Sequence, residues 1–141
     1  MEPPKTIQNI AQWENHCRKI HARAEDFLAD RLGVIETARI LSQLAFWTHL
    51  GDDADLQTFV AIDSETDSLP VGEVRRLWAP DALKRKDVEI DRAEKLYKPV
   101  AREAATRLVQ RFAWAVKARN ARRTRGGAAS NTAEHENGTE S

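Results

Sequence analysis

The sequence predicts an all-α fold: a single-domain bundle of four to five helices over residues 1–125, with a kinked long C-terminal helix and a disordered tail over 126–141. Three observations predict it. Apolar residues recur three and four positions apart, the period of one helix face, while Val, Ile and Thr do not gather into the alternating runs of strands. Six glycines and five prolines among 141 residues leave room for long helices. The length suits one core, since domains cluster near roughly 100–150 residues.

The elements follow in order. A first helix is expected from about Thr6, after Pro3 and Pro4, to about Leu32. With Trp13 as zero on a wheel of about 100° per residue, Ile10, Cys17, Ile20, Ala24, Phe27 and Leu28 fall within roughly 60° of it. Gly33 is placed to close this helix or to weaken a continuous one. A second helix, Val34 to about Leu50, spreads Ile35, Ala38, Leu41, Leu44, Ala45 and Trp47 around a wide apolar face, with Gly51 placed to end it.

Between Asp52 and Pro70 the pattern is least regular. Leu56 to Ile62 reads as a short helix or a buried strand, and Asp63-Ser-Glu-Thr-Asp-Ser reads as loop, because such side chains compete for backbone hydrogen bonds. A short helix should follow, capped by Ser68 or Asp67, with Pro70 in its first turn and Val74, Leu77 and Trp78 facing inward. Ala79-Pro80-Asp81 breaks the chain there, and Asp81 caps a segment through Leu83. From Asp87 a long helical pattern runs to about Thr124. Pro99 lacks the amide owed to the Lys95 carbonyl, so a kink or break is expected at Tyr97–Pro99. Around Phe112, the residues Ala101, Ala105, Leu108, Val109, Ala115 and Val116 form a core face. After Arg125 no large apolar residue remains, and the tail is expected to stay disordered.

Composition excludes several classes. No apolar run approaches the roughly 18 residues of a membrane span, and the start lacks the basic flank and apolar stretch of a signal peptide. A cytoplasmic product is expected, and the sequon Asn137-Gly138-Thr139 should then go unused. One cysteine excludes an internal disulfide, and four scattered histidines give no zinc-finger spacing.

The charges, 22 of each sign, cancel to zero. The cancellation conceals a split. Residues 51–73 hold seven acids and no Lys or Arg: Asp52, Asp53, Asp55, Asp63, Glu65, Asp67 and Glu73. Residues 102–125 hold eight bases, Arg102, Arg107, Arg111, Lys117, Arg119, Arg122, Arg123 and Arg125, against the single acid Glu103. Such asymmetry bears on partners rather than on fold.

Candidate chemistry is sparse. Asp63, Glu65 and Asp67 alternate like the start of a calcium loop, but Ser68 stands where that loop needs glycine and Val74 where it needs the bidentate glutamate. Asp87, Asp91 and Glu94 share one helix face, a spacing used by helical metal-dependent hydrolases, although Lys95 and Lys98 offer them surface ion pairs. Cys17 and His21 are one turn apart, the minimum geometry for an activated thiolate, yet Cys17 lies along the apolar stripe. His16 and His21 fall on different faces. No phosphate loop, nucleophile elbow or HExxH is present, and no cofactor or metal is expected.

Trp114 falls opposite Phe112, among Glu103, Arg107, Gln110 and Lys117. It is covered by another element, or it anchors a protein or homodimer interface, or it stacks on a base. The basic run from Lys117 to Arg125 reads as a solvated helix end, a nucleic-acid contact or a site for an acidic protein. The preferred function is a non-enzymatic protein-binding module, in its concrete form a small bacterial or phage inhibitor of immunity or antitoxin type. Its acidic segment, Asp52, Asp53, Asp55, Asp63, Glu65 and Asp67 with Phe59 as an apolar anchor beside Leu56 and Ile62, would dock on a partner's basic surface. The alternatives are nucleic-acid association through Arg107, Trp114, Lys117, Arg119, Arg122, Arg123 and Arg125, and metal-dependent hydrolysis.

Overall fold

The computed structural model describes residues 1–126, and over them the chain is a helical bundle with no strand. The elements are α1 (Ile10–Leu28), α2 (Val34–Trp47), α3 (Ala54–Thr66), a 3₁₀ turn (Gly72–Leu77), α4 (Pro80–Arg111) and α5 (Ala113–Gly126). The expected disordered tail lies outside the described residues, apart from its first residue.

α1 packs against α2, α4 and α5, and α4 in turn reaches α2 and α3. Its stripe of Trp13, Cys17, Ile20, Ala24 and Phe27 is buried, as the wheel requires, while Ile10 at its first turn is half exposed. The helix is shorter than expected. Asn9 caps it, its Oδ1 accepting the Gln12 amide at 3.0 Å. At the other end Asp30 takes a left-handed conformation (φ 62°), and the Asp30 and Arg31 amides donate back to Phe27 and Asp26 carbonyls. α2 ends the same way at His49 (φ 57°), with the His49 and Leu50 amides donating to Phe46 and Ala45. These are Schellman turns, whose left-handed residue is usually glycine or asparagine. Gly33 and Gly51, the expected terminators, lie beyond them; Gly33 instead caps the start of α2.

Leu56 to Ile62 belong to a helix, and it continues through Thr66, so the loop expected from Asp63 is helical at its start. Leu56, Phe59 and Ile62 are buried, three residues apart on one face, and Phe59 meets Phe27 edge-to-face at 6.3 Å. Arg39 of α2 stabilises the far end by donating to the Thr66 carbonyl at 2.8 Å and the Leu69 carbonyl at 2.5 Å. The helix expected after Pro70 is a 3₁₀ turn with no buried residue; Val74 and Leu77 face solvent rather than inward.

α4 is a single helix of 32 residues that runs through Pro99. Pro99 and Lys95 both lie on its exposed face, where water can take the carbonyl that the ring leaves unpaired. The interruption comes instead at Phe112, where the axis bends by 31° into α5. Phe112 is fully buried there, and Ala101, Ala105, Leu108 and Ala115 continue its face on both sides of the bend.

Candidate functional site

The acidic and basic segments meet. Asp53 caps α3, with Oδ1 accepting the Asp55 and Leu56 amides at 3.0 Å each, while its second oxygen pairs with Arg111. Asp55 is buried in the first turn of α3 and accepts from Arg107 Nε at 2.8 Å and Arg111 Nη1 at 2.5 Å. The residues of the two candidate docking faces therefore hold α3 to α4. Asp63 faces Arg39 at 3.8 Å. Only Asp52, Glu65 and Asp67 of the proposed acidic face are exposed, and Phe59, expected as a surface anchor, is in the core.

The basic end is similarly reduced. Trp114 stacks on Trp13 with centroids 5.5 Å apart and 25° between planes, so it is covered by α1, its indole N–H buried without a partner among the described residues. Lys117 and Arg123 are exposed and Arg119 is half buried; the side chains of Arg122 and Arg125 lie outside those described.

The three carboxylates of the hydrolase reading do separate jobs. Asp87 is gripped by both Arg75 guanidinium nitrogens, at 2.7 and 3.2 Å, a bond that lowers its pKa from the ordinary carboxylate value. Glu94 accepts the Val34 and Ile35 amides at 2.8 and 3.0 Å and so caps α2 from another helix. Asp91 is exposed. Among the described residues, no group of three or more His, Cys, Asp or Glu is placed to hold a metal ion. Burial, then the charge of Glu14, pushes the Cys17 thiol up to about 12, so it is not a thiolate at neutral pH. His21 faces Glu25 instead, at 3.4 Å.

A cleft that the sequence does not announce lies where the chain's first residues cross the end of α2. It measures about 330 Å³ and is lined by Thr6 to Asn9, Gln12, Trp13, His16, Trp47 and His49. Each wall has a cause. Trp13 donates from Nε1 to the Thr48 carbonyl at 3.0 Å, fixing α1 against the last turn of α2. That registers His16 on Trp47, rings 5.2 Å apart and 28° from parallel. The left-handed turn at His49 aims its ring at the N-terminal segment, where Nδ1 lies 2.5 Å from Thr6 Oγ1. A left-handed non-glycine residue carries a strain of order 1 kcal/mol, which the Thr6 contact helps to offset. Apart from the histidines, no lining residue is ionisable. Trp47, which lines the cleft, is 43% exposed, and Phe46, next to it in the chain, is 75% exposed.

The Thr6–His49 pair brings a hydroxyl to a base, the start of a nucleophilic dyad, but no carboxylate lines the cleft to orient the ring. It reads as a tether between residues 43 apart in sequence. The fold and the site define a helical bundle with an aromatic, amide-lined cleft at one end. Comparison with protein-family models, curated proteins and solved structures gave no match, so the chemistry of the cleft carries the functional reading.

Proposed function

We propose that the chain is a non-enzymatic protein-binding module that takes a short, uncharged, extended segment of a partner protein across the Phe46–Trp47 step. One observation carries this reading: Trp47, a wall of a cleft otherwise lined by amides, a hydroxyl and rings, is left partly in solvent, and Phe46, its neighbour in the chain, is more exposed still. Exposed aromatic surface is a standing cost to a monomer and marks interaction sites, and Trp is among the commonest binding hot spots. Gln8, Asn9 and Gln12 offer donors and acceptors to a partner's peptide groups, while Phe46 and Trp47 cover its apolar side chains.

The inhibitor form of this function, with an acidic face on a basic partner, keeps only Asp52, Glu65 and Asp67 as outward charges, so the partner's basic surface is not the main determinant. Peptides displayed on phage and selected on the immobilised full chain at about 0.15 M salt provide the test. Neutral peptides carrying aromatic, proline or aliphatic residues should emerge, and should bind a Phe46→Ala/Trp47→Ala variant about thirty-fold or more weakly, the effect of losing one hot spot. Selected peptides that hold the double variant equally well would refute the reading. A yield of only basic peptides dependent on Asp52, Glu65 and Asp67 would favour the acidic inhibitor face. A yield of only acidic ones would move binding to the end of α5.

A further inference from the structure

A second cleft, of about 250 Å³, opens between the end of α3 and the middle of α4. The helical period sets what lies deep in it and what stands at its edge. Thr66 and Leu69 are buried and Ala93 and Tyr97 half-buried, so these four make the floor. Their polar groups are mostly engaged within the fold. The Thr66 hydroxyl donates to the Ile62 carbonyl at 2.7 Å, and the Thr66 and Leu69 carbonyls accept from Arg39. The floor is therefore apolar apart from the Tyr97 phenol. At the edges stand exposed side chains, Glu65 on the α3 side and Glu89, Arg92 and Leu96 on the α4 side.

The charges at the edges are unevenly used. Glu89 lies 3.2 Å from Lys86 and is compensated there. Glu65 and Arg92 face the same cleft from opposite sides, yet neither has an ion pair or hydrogen bond among the described residues, with the other or with any neighbour. One carboxylate and one guanidinium thus stay available across an apolar floor.

We infer that this cleft binds a small zwitterion, an α-amino acid with an aliphatic side chain of leucine's size. Arg92 presents a planar fork of donors that matches the ligand's carboxylate. Glu65 stands in the last turn of α3 and accepts from the ammonium group, a charge that the negative end of the helix dipole also favours. The aliphatic side chain lies on Leu69, Ala93 and Leu96, where it leaves water. A ligand with only one of the two charges desolvates the opposite protein group without pairing it, which discriminates against simple amines and simple acids. The volume falls below the roughly 300–1,000 Å³ of clefts that take drug-sized molecules, so the site suits one molecule of about ten non-hydrogen atoms rather than a peptide. A ligand that small should bind with a Kd of about 0.1–1 mM.

Nuclear magnetic resonance of the isotope-labelled full chain at neutral pH, titrated with L-leucine to about 20 mM, tests it. Saturable shifts should centre on the amides of Thr66, Leu69, Ala93 and Leu96. Glycine, leucinamide and isocaproate lack in turn the side chain, the carboxylate and the ammonium group, and each should bind about tenfold or more weakly. Glu65→Gln and Arg92→Gln should each weaken leucine binding by about tenfold, with unchanged circular dichroism spectra because both positions are exposed. No saturable shift by about 20 mM overturns the inference, as do shifts centred elsewhere. Leucinamide or isocaproate binding as tightly as leucine, or an affinity indifferent to either substitution, overturns it as well.

Discussion

Glu94 caps a helix to which it does not belong, and that makes it a sharp test of how this fold is held. Gly33, at the start of α2, has no side chain with which to satisfy the first amides, and Glu94 of α4 accepts two of them at 2.8 and 3.0 Å. Loss of an N-cap side chain costs about 0.5–2 kcal/mol, and a carboxylate at the positive end of a helix adds about 0.3–1 kcal/mol. Because the site is half buried and joins two helices, Glu94→Ala should cost about 2–3 kcal/mol. Glu94→Gln keeps one accepting oxygen and turns an NH₂ toward the other amide, so it should cost roughly half as much. The assay is urea unfolding followed by circular dichroism, with the midpoint falling by about 1–2 M for Glu94→Ala. A second substitution isolates the contact. A Cβ at Gly33 would sit 3.1 Å from both Glu94 oxygens, which their two bonds prevent from moving away. Gly33→Ala should therefore destabilise the wild type by about 1 kcal/mol, yet be neutral or stabilising by about 0.5 kcal/mol in the Glu94→Ala background, where only the loss of chain freedom is felt. A Glu94→Ala cost under about 0.5 kcal/mol, or a cycle additive to within about 0.3 kcal/mol, would refute the capping role.

Three further outcomes follow. Cys17 should resist a thiol reagent in the native chain and react at once in denaturant; and because its thiol stays protonated up to about 12 when folded but only to 9.0 when unfolded, stability should fall as pH rises between those values. The fall, up to about 1.4 kcal/mol per pH unit, should be missing from Cys17→Ala measured alongside, and equal slopes would count against the buried thiol. Asp55→Ala should cost about 1–2 kcal/mol, less than a fully buried pair because Arg107 and Arg111 remain partly in water, and most of that cost should persist in 1 M salt as Asp55 itself is shielded; the denaturation midpoint at two salt concentrations decides it. Pro99→Ala should raise stability by about 1–3 kcal/mol in the same assay, since α4 already runs helically through this position and the change restores one hydrogen bond; a loss would mean that the ring holds a required bend.

What the sequence discloses here is whatever repeats at short range. The stripes on α1 and α2 and along α4 and α5 come from spacings of three and four, and they locate nearly the whole core. Leu56, Phe59 and Ile62 carried the same signal at a spacing of three, obscured by the acids among them. The expected kink is present but displaced. Proline is a strong local signal, yet on a solvated helix face its missing bond is tolerated, and burial of Phe112 sets the bend instead. Asp30 and His49 end helices where glycines nearby were the obvious choice, because the register of the Schellman turn is set by where core packing stops. The cleft was invisible for a different reason. Trp47 reads as one more apolar residue on α2, and only the Trp13–Thr48 bond, across 35 positions, places His16 against it.

The two charged segments show the same dependence on tertiary context, and they alter what the neutral total means. Charge steers a partner only where it is exposed and uncompensated. Asp53 and Asp55 are matched by Arg107 and Arg111, and Asp63 by Arg39, so three of the seven acids of the 51–73 segment are compensated within a few ångströms, while Asp52, Glu65 and Asp67 stay exposed. The surfaces that remain available differ in kind. The Phe46–Trp47 step is uncharged, so binding there should change little between about 0.05 and 0.5 M salt, whereas binding through the exposed Asp52, Glu65 and Asp67 should weaken as the Debye length contracts below about 8 Å. Salt dependence thus separates the two surfaces without any substitution, and a strongly salt-sensitive peptide complex would place binding on the exposed acids rather than on the aromatic step.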